Sequence, residues 1–271
     1  DRPEDEMAVY DDLLRRFGGS DLPALQEGVA KALFNKGVTL GELDRPEDEM
    51  AVYDDLLRRF GESDQPALQE QLAKALVNKG VRLGQLERRE EEIAVYGDLL
   101  RRFGDSDQPA LQEQVAMALV NYGDTLGHLG RPEEEIAVYD DLLRRFGGSD
   151  LPALQEQVAM ALFNKGIRFG VLGQTDEAIA AFDGVVARSD DSDDPRLREP
   201  LARALFNRAC VFARKGDAAP AIADLHRWAE QRNYFDCAAV ANDTDFDGIR
   251  DHPNFRALLQ EFGCLPTDDS D

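Results

Sequence analysis

The chain has 271 residues, with 54 Asp and Glu against 31 Lys and Arg, for a net charge of −23. That balance disfavours phosphate-dominated nucleic-acid binding and docking on an anionic membrane surface, and no apolar run approaches the roughly 18 residues of a membrane span. Hydrophobic residues make up 43%, enough for a packed core and against global disorder; the charge favours a basic partner, or high solubility alone.

The elements are predicted from an internal repeat. Asp-Arg-Pro-Glu-Asp-Glu-Met-Ala-Val-Tyr stands at Asp1 and again at Asp44, a shift of 43, and the register returns at Glu87, Gly130, Gly173 and, weakly, Gly216. Blocks 1–43 and 130–172 differ at nine of 43 positions. Recent duplication or consensus design produces such identity; chance does not.

The first predicted element is a shorter helix, Pro3 to Phe17, whose stripe of Met7, Tyr10 and Leu14 has no longer helix before it. Either a longer protein continues ahead of Asp1, a signal peptide being compatible with that start, or this end stacks on another molecule. The second unit shows the whole pattern. From Pro46 to Phe60, proline opens the helix, acids fill the first turn, Arg58 and Arg59 the last, and Gly61 follows as a stop, an order that complements the helix dipole. Met50, Tyr53, Leu56, Leu57 and Phe60 form one apolar stripe. After the turn at Gly61, with Ser63 or Asp64 available as N-cap, a longer helix runs from about Gln65 to Leu86. Its stripe is Leu68, Leu72, Ala75, Leu76, Gly80, Leu83 and Leu86. One unit cannot bury both stripes, but stacked neighbours can.

Later units decay. Helices at Asp194 to Lys215 and Pro220 to Gln231, the second carrying Trp228, close an array spanning 1–231. Two short capping helices at 233–241 and 253–262 fill 232–263, and 264–271 is a tail, frayed from Pro266. Cys210, Cys237 and Cys264 fit no zinc pattern and no disulfide framework, which makes a reducing cytoplasm the default compartment.

In Ala32-Leu-Phe-Asn-Lys-Gly37 through Leu43, and in Asn164-Lys-Gly166 through Leu172-Gly173-Gln-Thr-Asp-Glu-Ala178-Ile-Ala-Ala-Phe182, the chain resembles tetratricopeptide repeats over roughly residues 20–231. The resemblance implies an all-α, right-handed α-α superhelix, a solenoid of antiparallel helix pairs. It also implies a small residue at each helix–helix contact (Gly37, Gly80, Gly123, Gly166), and the loop of about four residues after Leu43 and the aromatic at Tyr53 match the family as well. The segment from Asp245 to Phe255 is similar to the end of many bacterial members. The unit departs from the family in being nine residues longer than the usual 34. Glu6, Glu49, Glu92 and Glu135 stand where the family prefers alanine, as at Ala178 and Ala221. Lys36, Lys79, Tyr122, Lys165 and Arg208 hold a site that is usually apolar. Lys36–Glu49 and Lys79–Glu92 are therefore expected ion pairs, contributing to register more than to stability.

Asparagine is a poor helix-interior residue, yet Asn35, Asn78, Asn121, Asn164 and Asn207 hold one place in every longer helix. One reading is a ladder on the concave face offering donors and acceptors to a peptide backbone, as the resemblance implies. The other is a structural hydrogen bond between repeats, or mere copying. Lys31, Phe34, Val38 and Glu42 share that face, with Lys74 and Phe163 at equivalent places, and their counterparts vary more than the rest of the unit. Phe34 and Phe163 fit core packing at least as well.

Asp243-Thr-Asp245-Phe-Asp247-Gly248 matches the first half of a calcium loop, but Asn254 stands where the bidentate glutamate belongs. A helix-capping acidic turn is the simpler reading, and no metal or cofactor is expected. His128, His226 and His252 lack neighbours that imply a nucleophile or metal. The expected function is a non-catalytic scaffold binding a protein or peptide, with a stacking or self-assembling array as the alternative. The expected partners include another copy end to end, but neither nucleic acid nor membrane.

Overall fold

The computed structural model describes residues 3–190, 192–232 and 234–265; the predicted frayed segment from Pro266, and Asp1 itself, lie outside them. The chain divides into two compact units, Asp1–Arg131 and Pro132–Asp271. The first holds α1 (Pro3–Phe17), α2 (Pro23–Glu42), α3 (Pro46–Phe60), α4 (Pro66–Gln85), α5 (Arg89–Phe103) and α6 (Pro109–His128). The second holds α7 (Pro132–Phe146), α8 (Pro152–Val171), α9 (Thr175–Asp190), α10 (Arg198–Lys215), α11 (Ala218–Arg232), α12 (Cys237–Ala241) and α13 (Pro253–Glu261), with 3-10 turns at Pro195–Leu197 and Thr244–Ile249. No strand occurs among the described residues. Each unit is all-α, with shorter and longer helices alternating and each packed on its successor from α1 to α6 and from α7 to α11; α13 packs back on α11.

The pairing rests on a close approach. A Cβ on Gly37 would lie 2.3 Å from Tyr53 Cε1, one on Gly80 would lie 2.4 Å from Tyr96 Cε1, and one on Gly166 would lie 2.6 Å from Phe182 Cε1. Those three rings are among the most buried side chains in the molecule. Only glycine lets the longer helix close on the ring of the following shorter helix.

The expected ion pairs are not the observed ones. Lys36 Nζ bonds Asp11 at 2.6 Å, not Glu49, and Lys79 and Lys165 bond Asp54 and Asp140 in the same way. The lysine reaches back to the shorter helix of its own unit. The glutamate is buried, 4% exposed at Glu49, Glu92 and Glu135, and takes a guanidinium instead. Arg82 Nε bonds Glu49 at 2.6 Å and also donates to the Gly41 carbonyl, while Arg168 bonds Glu135. Arginine is suited to this place because its planar fork serves carboxylate and carbonyl together.

Other polar bonds join neighbouring repeats. Arg59 and Arg102 donate to the carbonyls of Gly18 and Gly61, which end the preceding shorter helices, both at 3.0 Å. Gln65 Nε2 donates to Gln26 and Gln108 Nε2 to Gln69, each at 3.3 Å. Ser63 does not cap α4 directly. Gln65 holds the N-cap position, and the Ser63 hydroxyl accepts from its N–H at 3.3 Å.

Cys237 and Cys264 form a disulfide, so the sequence reading that the cysteines suit no disulfide was wrong. A separation of 27 residues hid the pair, because the residues that meet are those at the start of α12 and just after α13, where Phe235 stacks on Phe262 at 4.3 Å. The premise for a reducing cytoplasm falls with it. Cys210 is the remaining free thiol, buried in the second unit.

Candidate partner-binding face

On each longer helix, positions four, three and four apart lie on one face: Lys31, Asn35, Val38 and Glu42 on α2, and their equivalents on α4, α6, α8 and α10; its members are exposed or half-buried, except for the buried Cys210 of α10. Between α4 and α6 this face forms a groove of about 300 Å³ lined by Val81, Gln85, Asn121, Asp124 and His128, with Glu92 and Tyr96 beneath. Between α8 and α10 the same positions, two repeats on, line a cleft of about 220 Å³: Ile167, Val171, Asn207, Cys210 and Arg214, with Phe182 beneath. The floor keeps its packing while the rim changes chemistry. In the first unit Val81 is the apolar member of a rim otherwise made of Gln85, Asn121, Asp124 and His128; in the second Val171 is 70% exposed and Leu172 44%.

The asparagines do not behave alike. Asn35 is exposed; Asn78, Asn121 and Asn164 are half-buried. Asn78 Nδ2 donates to the Tyr53 hydroxyl at 3.3 Å, and burial, eased by that bond, pushes the Tyr53 pKa up to about 12. Asn121 lies beside Tyr96, whose pKa burial also raises. Asn207 Nδ2 donates to the Arg203 carbonyl of its own helix at 2.9 Å. The Asn78 amide thus serves a buried tyrosine hydroxyl, and that of Asn207 serves its own helix. Each also lies on the groove side of its helix.

The flanking residues divide similarly. Lys31 and Lys74 are tied to Glu27 and Glu70 one turn earlier, at 2.6 and 2.5 Å. Val38 and Phe34 are half-buried, the Phe34 ring 6.3 Å from that of Tyr53. Phe163 is buried, 5.9 Å from Phe182, and covered by the Arg203 guanidinium at 4.2 Å. What reaches solvent there is the arginine.

Asp243 caps the 3-10 turn at Thr244–Ile249, accepting from the Asp245 N–H at 2.9 Å. Asp245 pairs with Arg214 at 2.9 Å, and Asp247 with Arg250 at 2.7 Å. The three carboxylates of the calcium-like run therefore act as caps and ion-pair partners, the simpler of the two sequence readings. The Cys210 thiol lies 3.8 Å from Asp243, and burial raises its pKa well above the ordinary thiol value.

Sequence reasoning missed the exposed apolar rim at Ile167, Val171 and Leu172 and a second cleft between α10, α11 and α12. The signal for the latter was Trp228, the one tryptophan of the chain.

Residues 163–234 match the family model described as tetratricopeptide repeat. No curated protein matches the chain. Among solved structures, the crystal structure of BtubC (BKLC) from P. vanneervenii is similar at a TM-score of 0.69 and 17% identity, over 90% of this chain and 94% of that one. PilW, titled a widely conserved type IV pilus biogenesis factor, is similar at 0.55 and 18%, over 86% and 93%. MamA 41-end from Desulfovibrio magneticus RS-1 is similar at 0.51 and 14%, over 75% and 95%. At such identities the likeness concerns the fold.

Proposed function

We propose that this chain, which belongs to the tetratricopeptide repeat family and carries that fold in both of its units, is a non-catalytic scaffold that binds a protein segment along the exposed face of its longer helices. The supporting observation is the recurrent groove: the same positions line it in both units, and those facing solvent are the ones in which the repeats differ. A groove with constant walls and a changing rim suits an extended peptide read one repeat at a time. The disulfide supports an oxidising compartment as its place of action.

The test is a random-peptide display selection on the full chain, followed by affinities for Val81→Glu, Ile167→Glu and Asn78→Ala. Selected peptides are expected to lose about tenfold or more in the groove variants. Tyr53→Phe separates the two duties of Asn78, because it removes the internal hydrogen bond and leaves the surface amide in place. Peptides that bind all of these variants unchanged would remove the assignment of the face.

A further inference from the structure

The repeat pattern changes most sharply after α11. Earlier units follow a shorter helix with one of eighteen or twenty residues, as in α10 and α4, but here α12 has five. The shortened element leaves a cleft of about 310 Å³ lined by Ala202, Arg203, Phe206, Asn207, Trp228 and Arg232, with Glu199 and Ala239 at its edges. Phe206 and Trp228 form its aromatic wall, their ring centroids 5.0 Å apart.

Two guanidinium groups flank that wall. Arg203 lies over Phe163 at 4.2 Å, and Arg232 lies over Trp228 at 5.0 Å and Tyr234 at 5.5 Å. Both are exposed. Among the described residues neither makes an ion pair. That is unusual in a chain with 54 acids for 31 bases, where arginines such as Arg208, Arg214 and Arg227 are all engaged by carboxylates. Stacking on rings holds a guanidinium in place while leaving its N–H edge free for an anion. Glu199, one helical turn before Arg203, makes no ion pair with it among the described residues.

We infer that this cleft binds a peptide segment in which acidic residues flank an aromatic one, the ring entering against Phe206 and Trp228 and the carboxylates meeting Arg203 and Arg232. The volume suits one large side chain, and bidentate arginine–carboxylate bonds fix its neighbours. Because the chain as a whole is acidic, attraction here is local, so nucleic acids and other extended polyanions are repelled by the surroundings. The inference rests on the scaffold reading in taking a peptide as ligand, and it assigns one end of the array a preference opposite to the basic partner that net charge favours.

Trp228, the sole tryptophan, reports on the cleft directly. The probe is the acetylated, amidated pentapeptide Ser-Asp-Phe-Asp-Ser, which has no terminal charge and no tryptophan, titrated into the full chain while emission is followed. A saturable change in Trp228 emission is expected, absent with Ser-Lys-Phe-Lys-Ser and with Ser-Asp-Ala-Asp-Ser. Arg203→Gln and Arg232→Gln are each expected to weaken binding about tenfold, and the corresponding lysine variants less. Both side chains are at the surface, and unchanged far-ultraviolet circular dichroism confirms the fold of the variants. The inference is overturned by affinities within twofold in the glutamine variants, by equal binding of the lysine peptide, or by no saturable change up to about 5 mM. Failure here, with groove variants still losing their selected peptides, leaves the scaffold reading intact; failure of the groove variants alone removes that reading and not this cleft.

Discussion

Gly80 and Tyr96 are the contact on which one helix pair turns, and the chain itself supplies the control for testing it. An alanine Cβ at Gly80 would lie 2.4 Å from Cε1, 2.5 Å from Cζ and 2.8 Å from Oη of Tyr96. The ring is fully buried. Overpacking of this kind costs about 1–3 kcal/mol, and three ring atoms inside contact distance argue for the upper end. Alanine returns about 1 kcal/mol of helix propensity. The net expectation for Gly80→Ala is a loss of about 2 kcal/mol. At the equivalent contact in α10 and α11, alanine at Ala209 meets leucine at Leu225, both fully buried. Tyr96→Leu alone should lose about 2 kcal/mol of ring burial, but in Gly80→Ala/Tyr96→Leu the smaller side chain removes the clash. The double variant should then lie at least about 1 kcal/mol above the additive sum. Urea unfolding followed by far-ultraviolet circular dichroism measures all four species. Strict additivity would mean that the glycine is not there for the ring, and the account of the pairing would fail.

Four further outcomes follow from the same structure. Arg89→Pro, which restores the residue that begins the neighbouring shorter helices, strips Glu92 of its guanidinium partner at 3.1 Å and should cost about 2–3 kcal/mol; adding Thr125→Arg should recover most of it, and urea midpoints read both. Glu87 has φ +59° where Gly130, Gly173 and Gly216 also take positive φ, so Glu87→Gly should raise stability by about 1 kcal/mol, visible as a higher melting temperature. Burial raises the Glu49 pKa above its ordinary 4.5, with Arg82 opposing the shift. The folded value therefore exceeds the unfolded one, and this contribution is full below about pH 4.5 and is lost as pH rises through the folded value; relative to Glu49→Gln, the native chain should gain melting temperature as pH falls from 7 toward 4.5. Removing the Cys237–Cys264 bond with a reductant or by Cys264→Ser should destabilise the fold by about 3 kcal/mol in the chain-entropy account, and intact-mass analysis before reduction should show two hydrogens fewer than the free thiols.

The helices were legible because each carries its own periodicity, caps and dipole-matched charges, all of them local properties of a chain copied several times. The disulfide was not, since nothing within 27 residues of sequence says that the start of α12 meets the residues just after α13. The site was only partly legible for a related reason. Near-identical copies give every residue the same recurrence, so Asn78, which satisfies a buried hydroxyl, looks no different in sequence from a residue that meets a partner. The chain's departures from its own repeat are the better signal.

Those departures also explain why the charged pairs were misassigned. Lys36, Lys79, Lys165 and Arg208 each pair with the acid 25 residues earlier, at Asp11, Asp54, Asp140 and Asp183. In the one unit where that acid is missing, at Gly97, the base is missing too and Tyr122 takes its place. The glutamates follow a second rule. Glu49 and Glu135 take Arg82 and Arg168, 33 residues later; for Glu92 that position is Thr125, and Arg89 stands in the proline's place and supplies the guanidinium. In unit 87–129 each exception is matched by a second change at the position the structure shows in contact. A buried carboxylate without a partner carries a large desolvation penalty, and Glu92 keeps a guanidinium through Arg89. In unit 1–43 Thr39 again stands in the arginine's place while Pro3 is unchanged, and its hydroxyl donates to the half-buried Glu6 at 3.4 Å. Comparing the repeats for paired changes, instead of for shared residues, would have drawn the contacts from sequence alone. The same comparison directs attention to the rim, where the exposed Val81, Asp124 and Ile167 differ with no compensating change in the helix beneath; a change without a counterpart inside the fold leaves such positions available to an external partner.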